Sequence, residues 1–228
     1  MNEFFVNLRR IGIALFAWSL LGSTASATPV MSSTLLVLGD SLSAGYGLTL
    51  DQGWVELLKQ RLAAEAFPVE VINASISGET TDGGLRRLPD LLDRHTPSLV
   101  IIELGANDGL RGFALDSIRA NLTRMVQLVQ QRGARPLLVG IRIPPNYGSR
   151  YSEPFFIQYQ EIAKENSIPL VPFLLEGVAA QPGMMQADGL HPTAAAQPRL
   201  LDTVWLQLRP LLPKRSGTAL PSSSATQR

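Results

Sequence analysis

The stretch Thr34–Gly47, with the sequence TLLVLGDSLSAGYG, is an apolar run that ends abruptly in glycine, aspartate and serine. The apolar residues up to Gly39 are typical of a buried strand. Ser41 follows the end of that strand, where a hydroxyl can face a cleft at the edge of a parallel sheet. Asp and Ser at such a place are equally typical of a helix start, because their side chains cap the first N–H groups. The stretch therefore predicts either a nucleophile or a helix cap.

Apolar runs and amphipathic stretches alternate along the rest of the chain. Short and nearly continuous apolar runs are typical of strands that are buried on both faces, and the helices between them indicate parallel pairing. We therefore expect an α/β protein: a three-layer α/β/α sandwich around a central, mostly parallel, five-stranded sheet of the flavodoxin-like type. The predicted strands are 34–39, 69–73, 98–104, 137–141 and 168–173, and the predicted helices are 54–66, 84–95, 114–131, 157–166 and 193–208.

The first 27 residues follow the order of a secretory signal peptide. Arg9 and Arg10 precede an apolar stretch from Ile11 to Gly22, and a run of small residues then ends at Ala27. The apolar stretch is shorter than the roughly 20 residues that a spanning helix needs. We expect cleavage after Ala27 and a periplasmic or secreted protein with no stable membrane anchor. An uncleaved anchor is the alternative.

The rest of the chain divides into one folded domain, 28–213, and a polar, Ser-rich tail, 214–228, that we expect to be disordered. A formal net charge of +1 and the lack of a large cluster of Lys and Arg argue against nucleic-acid binding. The chain has no cysteine, which excludes disulfides, thiolate metal sites and a cysteine nucleophile. With only two histidines, a zinc site built on histidine is not expected. No other metal and no cofactor is expected either, and a monomer is the expected state.

Two loops carry small or polar residues where predicted strands end. Gly78 follows the second strand and Asn107 follows the third, so both are expected at the same edge of the sheet as Ser41. A free backbone N–H at Gly78 and the side-chain amide of Asn107 would suit the negative oxygen of a tetrahedral intermediate. A turn glycine and an Asx turn are the alternatives.

Asp188 precedes His191 by three residues in the stretch ADGLHPTAAA. This spacing lets one loop present the imidazole while the carboxylate bonds its other nitrogen, as general-base catalysis on a serine requires. The alternative is the chemistry of a helix start, because Pro192 and Thr193 lead into the last predicted helix. His95 lies at a predicted helix C-terminus, where a cation complements the helix dipole, and we interpret it as structural.

The order of these short sequences resembles that of the SGNH (GDSL) hydrolase superfamily: Gly-Asp-Ser-Leu, then glycine, then Gly-x-Asn-Asp, then Asp-x-x-His. The resemblance spans 34–208, and the stretches VINASISGETT, ELGANDGLRGF, IRIPPNYGSRY and DGLHPTAAAQP are similar to its periplasmic thioesterase I and arylesterase branch. It implies an α/β/α fold and a small acyl substrate. The substrates implied are acyl thioesters, aryl and other carboxylic esters and, for some members, lysophospholipids.

The resemblance also implies a role for each candidate residue. Ser41 is the nucleophile, His191 the base, and Asp188 the carboxylate that orients the base; the reaction passes through an acyl-enzyme. The backbone N–H groups of Ser41 and Gly78 and the side-chain amide of Asn107 form the oxyanion hole. No metal or cofactor is implied.

Two loops after the third and fourth predicted strands, 108–113 and 142–151, bear apolar residues and are expected to form an acyl groove. The second loop is too rich in Pro and Gly for a helix. Ordinary packing loops are the alternative. Relatives in this branch carry a second glycine where this chain has Ala106, whose methyl is expected to narrow the site. The residues expected to contact the acyl chain are Leu110, Phe113, Pro144 and Tyr147.

Two other functions remain open on the residues alone. A carbohydrate esterase that removes acetyl groups would use the same catalytic residues, but in a polar groove with exposed aromatic residues; aromatic residues make up only 7% of this chain. A non-catalytic periplasmic lipid carrier would use an apolar groove and would not need the set of Ser, Gly, Asn, Asp and His. The sequence therefore favours ester or thioester hydrolysis.

Overall fold

The computed structural model describes residues 33–214. The predicted signal peptide, 1–27, and all of the predicted tail except Lys214 lie outside the described residues. The strands are β1 (Ser33–Gly39), β2 (Val69–Asn73), β3 (Leu99–Glu103), β4 (Arg135–Val139) and β5 (Leu170–Val171). The helices are α1 (Ser41–Ala44), α2 (Trp54–Ala64), α3 (Thr81–His95), α4 (Ala106–Leu110), α5 (Leu115–Gln131), α6 (Ser149–Glu165) and α7 (Gln197–Leu208).

The five strands of residues 33–214 form one sheet in the order β2-β1-β3-β4-β5, and every pair is parallel. This is the strand order of flavodoxin-like sheets. All residues of β3 are buried, as a central parallel strand that is covered on both faces requires. The predicted α/β class is confirmed, and the sheet is parallel throughout rather than mostly parallel.

The helices form a layer on each face of the sheet. α2 packs against α7 in one layer, while α3 packs against α5 and α5 against α6 in the other. Helical spacing explains these positions: α5 buries Ile118, Leu122 and Val126 and exposes Asp116 and Arg124. The predicted three-layer sandwich is confirmed. Within residues 33–214, no helix is long and apolar enough to span a membrane.

The loops that carry the candidate residues meet at one edge of the sheet. β1 lies between β2 and β3, and its last residue, Gly39, pairs in register with Glu103 at the end of β3. Parallel strands end at the same edge, so the chain leaves all three strands side by side. Ser41 follows β1, Gly78 follows β2 and Asn107 follows β3. The sheet order therefore gathers three candidate residues that are far apart in the sequence.

The helix predicted at 157–166 is longer than the sequence indicates. α6 begins at Ser149 and takes in the end of the Pro- and Gly-rich stretch 142–151, for which a helix was not expected. Pro154 lies inside α6, where it removes one backbone donor. Phe155 is fully buried, and this burial favours the helix across the proline. The prediction of a loop up to Tyr151 is wrong for this reason, because tertiary packing outweighs local composition.

Other element boundaries differ from the prediction by a few residues. α3 begins at Thr81 because Thr80 caps it, accepting a hydrogen bond from the backbone N–H of Gly83. The helix tolerates Gly84 because its missing side chain makes room for Leu104; a Cβ there would lie 2.3 Å from Leu104 Cδ1. β4 begins early at Arg135, β5 is reduced to Leu170–Val171, and α7 begins at Gln197 after a 3₁₀ turn over Ala194–Ala196.

Candidate active site

Ser41 begins α1, directly after the residue that caps this short helix. The cap is Asp40, whose Oδ1 accepts a hydrogen bond from the backbone N–H of Leu42 at 3.0 Å. Because Asp40 caps the helix, the Ser41 side chain is not needed as a cap, and it lines a cavity. The helix-cap interpretation of the Gly-Asp-Ser sequence is therefore correct for Asp40, and it leaves the nucleophile prediction for Ser41 open.

His191 lies between Ser41 and Asp188. Its Nε2 is 2.8 Å from Ser41 Oγ, and its Nδ1 is 2.7 Å from Asp188 Oδ2. Asp188 Oδ1 accepts the backbone N–H groups of Leu190 at 2.9 Å and of His191 at 3.0 Å. The imidazole first, and then these N–H groups, lower the pKa of Asp188 to about 2. An ionised Asp188 keeps the proton on Nδ1, so that Nε2 is free to accept the proton of Ser41.

The loop that carries His191 is held by contacts that the sequence does not predict. Gln186 donates from Nε2 to the carbonyl oxygens of Tyr46 at 2.9 Å and Pro192 at 3.1 Å. Its backbone N–H also donates to the carbonyl of His191 at 2.7 Å. The ring of Tyr46 lies against the imidazole, with 4.4 Å between ring centres. Gln186 thus joins the loop of His191 to the loop after α1. His95, by contrast, lies in the last turn of α3, as predicted.

Three donors lie at this edge of the sheet. The backbone N–H groups of Ser41 and Gly78 have no acceptor within residues 33–214. Gly78 has a φ of 80°, which favours glycine. The Nδ2 of Asn107 donates to the carbonyl of Glu79 at 3.0 Å and to Oδ2 of Asp40 at 3.3 Å. Because both partners are acceptors, they orient the amide so that its nitrogen, and not its oxygen, faces Glu79 and Asp40.

Asp108, the neighbour of Asn107, holds two helices together. Its carboxylate is buried and accepts hydrogen bonds from the backbone N–H and the hydroxyl of Thr81 at 2.9 and 2.6 Å. These contacts fasten α4 to the start of α3. Gly105, just before α4, has a φ of 120°, and a Cβ there would lie 2.2 Å from the hydroxyl oxygen of Tyr159. Only glycine fits this position, which sets the direction in which Asn107 leaves β3.

A cavity of about 140 Å³ opens beside Ser41 and His191. Within residues 33–214, its lining includes one lysine or arginine, Arg142, and also Ala106. The methyl group of Ala106 therefore borders the space next to Asn107. The apolar part of the lining consists of Leu42, Leu110, Ile141, Ile143, Pro144, Phe173, Leu175 and Leu190.

The four residues predicted to contact an acyl chain divide into two pairs. Leu110 and Pro144 line the cavity, whereas Phe113 and Tyr147 do not. Tyr147 donates its hydroxyl to the carbonyl of Leu110 at 2.9 Å, which supports the end of α4. The prediction of a loop over 108–113 is wrong for its first residues, because α4 extends to Leu110. Phe113 is 43% exposed. The lining residues that follow β4 and β5, such as Ile141, are missed because an apolar residue at a strand end is typical of the core.

The family comparison agrees with this geometry. The model of the GDSL-like lipase/acylhydrolase family matches residues 37–198. The esterase TesA of Pseudomonas aeruginosa is 56% identical over 181 residues, which cover 79% of this chain and 90% of that protein. The thioesterase 1/protease 1/lysophospholipase L1 of Escherichia coli strain K12 is 47% identical over 181 residues, which cover 79% of this chain and 86% of that protein.

A solved structure agrees as well. The psychrotrophic esterase EstA from Pseudoalteromonas sp., in a crystal structure inhibited by monoethylphosphonate, superposes with a TM-score of 0.75 at 45% sequence identity. The match covers 78% of this chain and 97% of that chain. The region matched by the family model, 37–198, includes Ser41 and His191. The chain therefore belongs to the GDSL-like lipase/acylhydrolase family, the SGNH hydrolases, and is a serine hydrolase.

Proposed function

We propose that this serine hydrolase cleaves acyl esters and thioesters through an acyl-enzyme on Ser41, with His191 as general base and Asp188 as the group that orients it. One observation carries the proposal: Ser41 Oγ lies 2.8 Å from His191 Nε2, and His191 Nδ1 lies 2.7 Å from Asp188 Oδ2. A nucleophile, a base and an orienting carboxylate within hydrogen-bond reach are the arrangement that acyl transfer requires.

In the first half of the reaction, His191 Nε2 takes the proton of Ser41 as Oγ attacks the acyl carbonyl carbon. The carbonyl oxygen becomes negative and is held by the backbone N–H groups of Ser41 and Gly78 and by Nδ2 of Asn107. The hydrogen that Asn107 offers is the one in its longer bond, 3.3 Å, to Asp40 Oδ2, which the oxyanion then shares. Asp188, whose pKa is about 2, stays ionised and stabilises the imidazolium. His191 then donates its proton to the leaving alcohol or thiol, which departs and leaves the acyl group on Oγ.

In the second half, a water molecule takes the place of the leaving group. His191 Nε2 accepts a proton from this water, and the water oxygen attacks the acyl carbon of the ester on Ser41. The same three donors hold the second oxyanion. Collapse of this intermediate breaks the bond to Oγ, which regains its proton from His191, and the free carboxylic acid leaves.

The substrate that we propose is a small ester or thioester with an apolar acyl group. The largely apolar lining of the 140 Å³ cavity next to Ser41 supports this choice, because apolar surface binds an alkyl chain and gives a sugar few hydrogen-bond partners apart from Arg142 and Asn107. The names of the relatives add esters, thioesters and lysophospholipids to the classes to be tested. A carbohydrate acetyl esterase, the alternative with the same catalytic residues, is disfavoured by the same lining.

Replacement of Ser41 by alanine is expected to lower kcat for p-nitrophenyl esters by at least about 10³-fold, because no acyl-enzyme can form. Ser117, which is exposed on α5, provides a matched control, and Ser117→Ala is expected to keep the wild-type kcat. Circular dichroism and thermal unfolding check that both variants fold. Wild-type esterase activity in pure Ser41→Ala would overturn the assignment.

Leu110→Ser is expected to lower kcat/KM for an octanoyl ester about tenfold relative to an acetyl ester, because Leu110 lines the cavity. Phe113→Ser is the matched control: Phe113 is exposed and lies outside the lining, so this ratio should change by less than about twofold. A series of p-nitrophenyl esters from acetyl to dodecanoyl measures both. An unchanged ratio in Leu110→Ser would show that the acyl chain binds elsewhere.

We further propose that the chain is exported to the periplasm or secreted, as a monomer consisting of the SGNH hydrolase domain, 28–213, and a disordered tail, 214–228. The order of basic, apolar and small residues in 1–27 supports export. Mass spectrometry of the exported protein is expected to find Thr28 at the N-terminus. An intact Met1 end would contradict cleavage after Ala27.

A further inference from the structure

Glu103 is a fully buried carboxyl group next to the turn that carries Ser41, and the reaction steps above do not use it. It is the last residue of β3. Its Oε2 accepts a hydrogen bond from Ser43 Oγ at 2.6 Å and another, longer one from the backbone N–H of Asp40 at 3.4 Å. One carboxyl group thus contacts the residue before the nucleophile and the second residue after it.

Gly39 leaves the space that the Glu103 carboxyl occupies. A Cβ at Gly39 would lie 2.8 Å from Oε2 of Glu103 and 2.8 Å from Cβ of Ser43. Both distances are far shorter than a van der Waals contact, so a side chain at this position would displace the carboxyl. Gly39 is not among the glycines with positive φ. The glycine of the Gly-Asp-Ser sequence is therefore needed for this close approach and not for its backbone conformation.

Two observations favour the neutral acid form of Glu103. Its Oε1 is buried without a hydrogen-bond partner within residues 33–214, which is costly for an ionised carboxylate. The carboxyl group of Asp40 is also fully buried, and two like charges in one buried site oppose each other's ionisation. Burial, and then the charge of Asp40, raise the pKa of Glu103 well above its usual range.

Asp40 is better placed than Glu103 to carry the negative charge of the pair. Its Oδ1 accepts from the N–H of Leu42, and its Oδ2 accepts from Nδ2 of Asn107. Burial raises the pKa of Asp40 to about 7, against the opposing effects of these donors and of His191. The carboxyl group of Asp40 therefore connects the cap of α1 to the amide of Asn107. Asp108 of α4 also raises the pKa of Asp40. Burial first, and then the neighbouring carboxyl groups, raise the pKa of Tyr159 of α6.

We propose that Glu103, as the neutral acid, is a positioning residue for ester hydrolysis: it holds the turn over 40–43 so that Ser41 faces His191 and Asp40 holds Asn107. This inference rests on the proposed acyl transfer at Ser41. Glu103 touches neither the substrate nor the reacting atoms and acts through Ser43 Oγ and the N–H of Asp40. Loss of the Glu103 carboxyl lowers kcat more than it changes KM, because Ser41 and the amide of Asn107 act in the transition state.

Three variants, assayed with p-nitrophenyl butyrate, test this role. Glu103→Gln keeps the shape and the neutral state, so kcat should stay within about threefold of wild type and the pH profile of kcat/KM should not shift. Glu103→Ala removes the acceptor, and kcat should fall roughly 10- to 100-fold with little change in KM, as for a slightly misplaced nucleophile. Ser43→Ala removes one donor and should cause a smaller loss of kcat in the same direction.

Leu62→Ala is the control for lost stability, since Leu62 is buried on α2, a helix that supplies no residue to the candidate site. It should lower the thermal stability and leave kcat unchanged. The proposal is overturned if Glu103→Ala keeps the wild-type kcat, or if a folded Glu103→Gln loses as much kcat as Glu103→Ala or shifts the pH profile. Should Glu103→Ala not fold, a wild-type kcat in Ser43→Ala overturns it. Failure of the proposed function differs from failure of the Glu103 proposal, because the wild-type enzyme itself would then lack esterase activity.

Discussion

The hydrogen bond between Ser41 Oγ and His191 Nε2 joins residues that are 150 positions apart in the chain, and much of the structure holds its two ends in place. The Ser41 end is set by the sheet, because β1 lies between β2 and β3 and its last residues are enclosed by their loops. The His191 end lies in a long loop after β5 and depends on Gln186 and Tyr46 for its position. Strand pairing thus positions Ser41, while side-chain contacts position His191.

The edge of the sheet that carries Ser41 is unusual in burying three carboxyl groups. Asp108 accepts hydrogen bonds from the N–H and the hydroxyl of Thr81, although burial still raises its pKa. Burial raises the pKa of Asp40 from its usual 3.8 to about 7. Folding therefore favours the protonated form of Asp40. The resulting contribution to stability is fully present below pH 3.8 and is lost as the pH rises through 7. As the pH rises through 7, Asp40 takes on a buried negative charge next to the amide of Asn107, and Glu103 lowers the cost of this charge by remaining neutral.

Much of the fold and of the candidate site follows from one sequence rule, that parallel strands end at a common edge. Ser41 and Asn107 are predictable because each directly follows an apolar run. Glu103 is not, because a single carboxylate near the end of SLVIIEL could be exposed. Its burial in the central strand β3 and its hydrogen bond with Ser43 of α1 depend on tertiary packing. The residues that line the cavity next to Ser41 are equally hard to predict from the sequence. Leu110 and Phe113 lie in one short stretch, but only Leu110, the last residue of α4, lines the cavity. The direction of a side chain after a helix end depends on tertiary contacts, such as the hydrogen bond from the Tyr151 hydroxyl to the Phe113 carbonyl.

Covalent labelling with a p-nitrophenyl alkylphosphonate tests most directly whether Ser41 is the nucleophile that this edge of the sheet presents. Attack of Oγ on phosphorus expels p-nitrophenolate and leaves a stable phosphonate ester, which peptide mass spectrometry locates. We expect one adduct per chain, on the peptide that contains Ser41, with esterase activity lost in proportion to labelling and with much slower labelling in His191→Ala. An adduct on another residue, or full activity in a protein completely labelled at Ser41, would contradict the account.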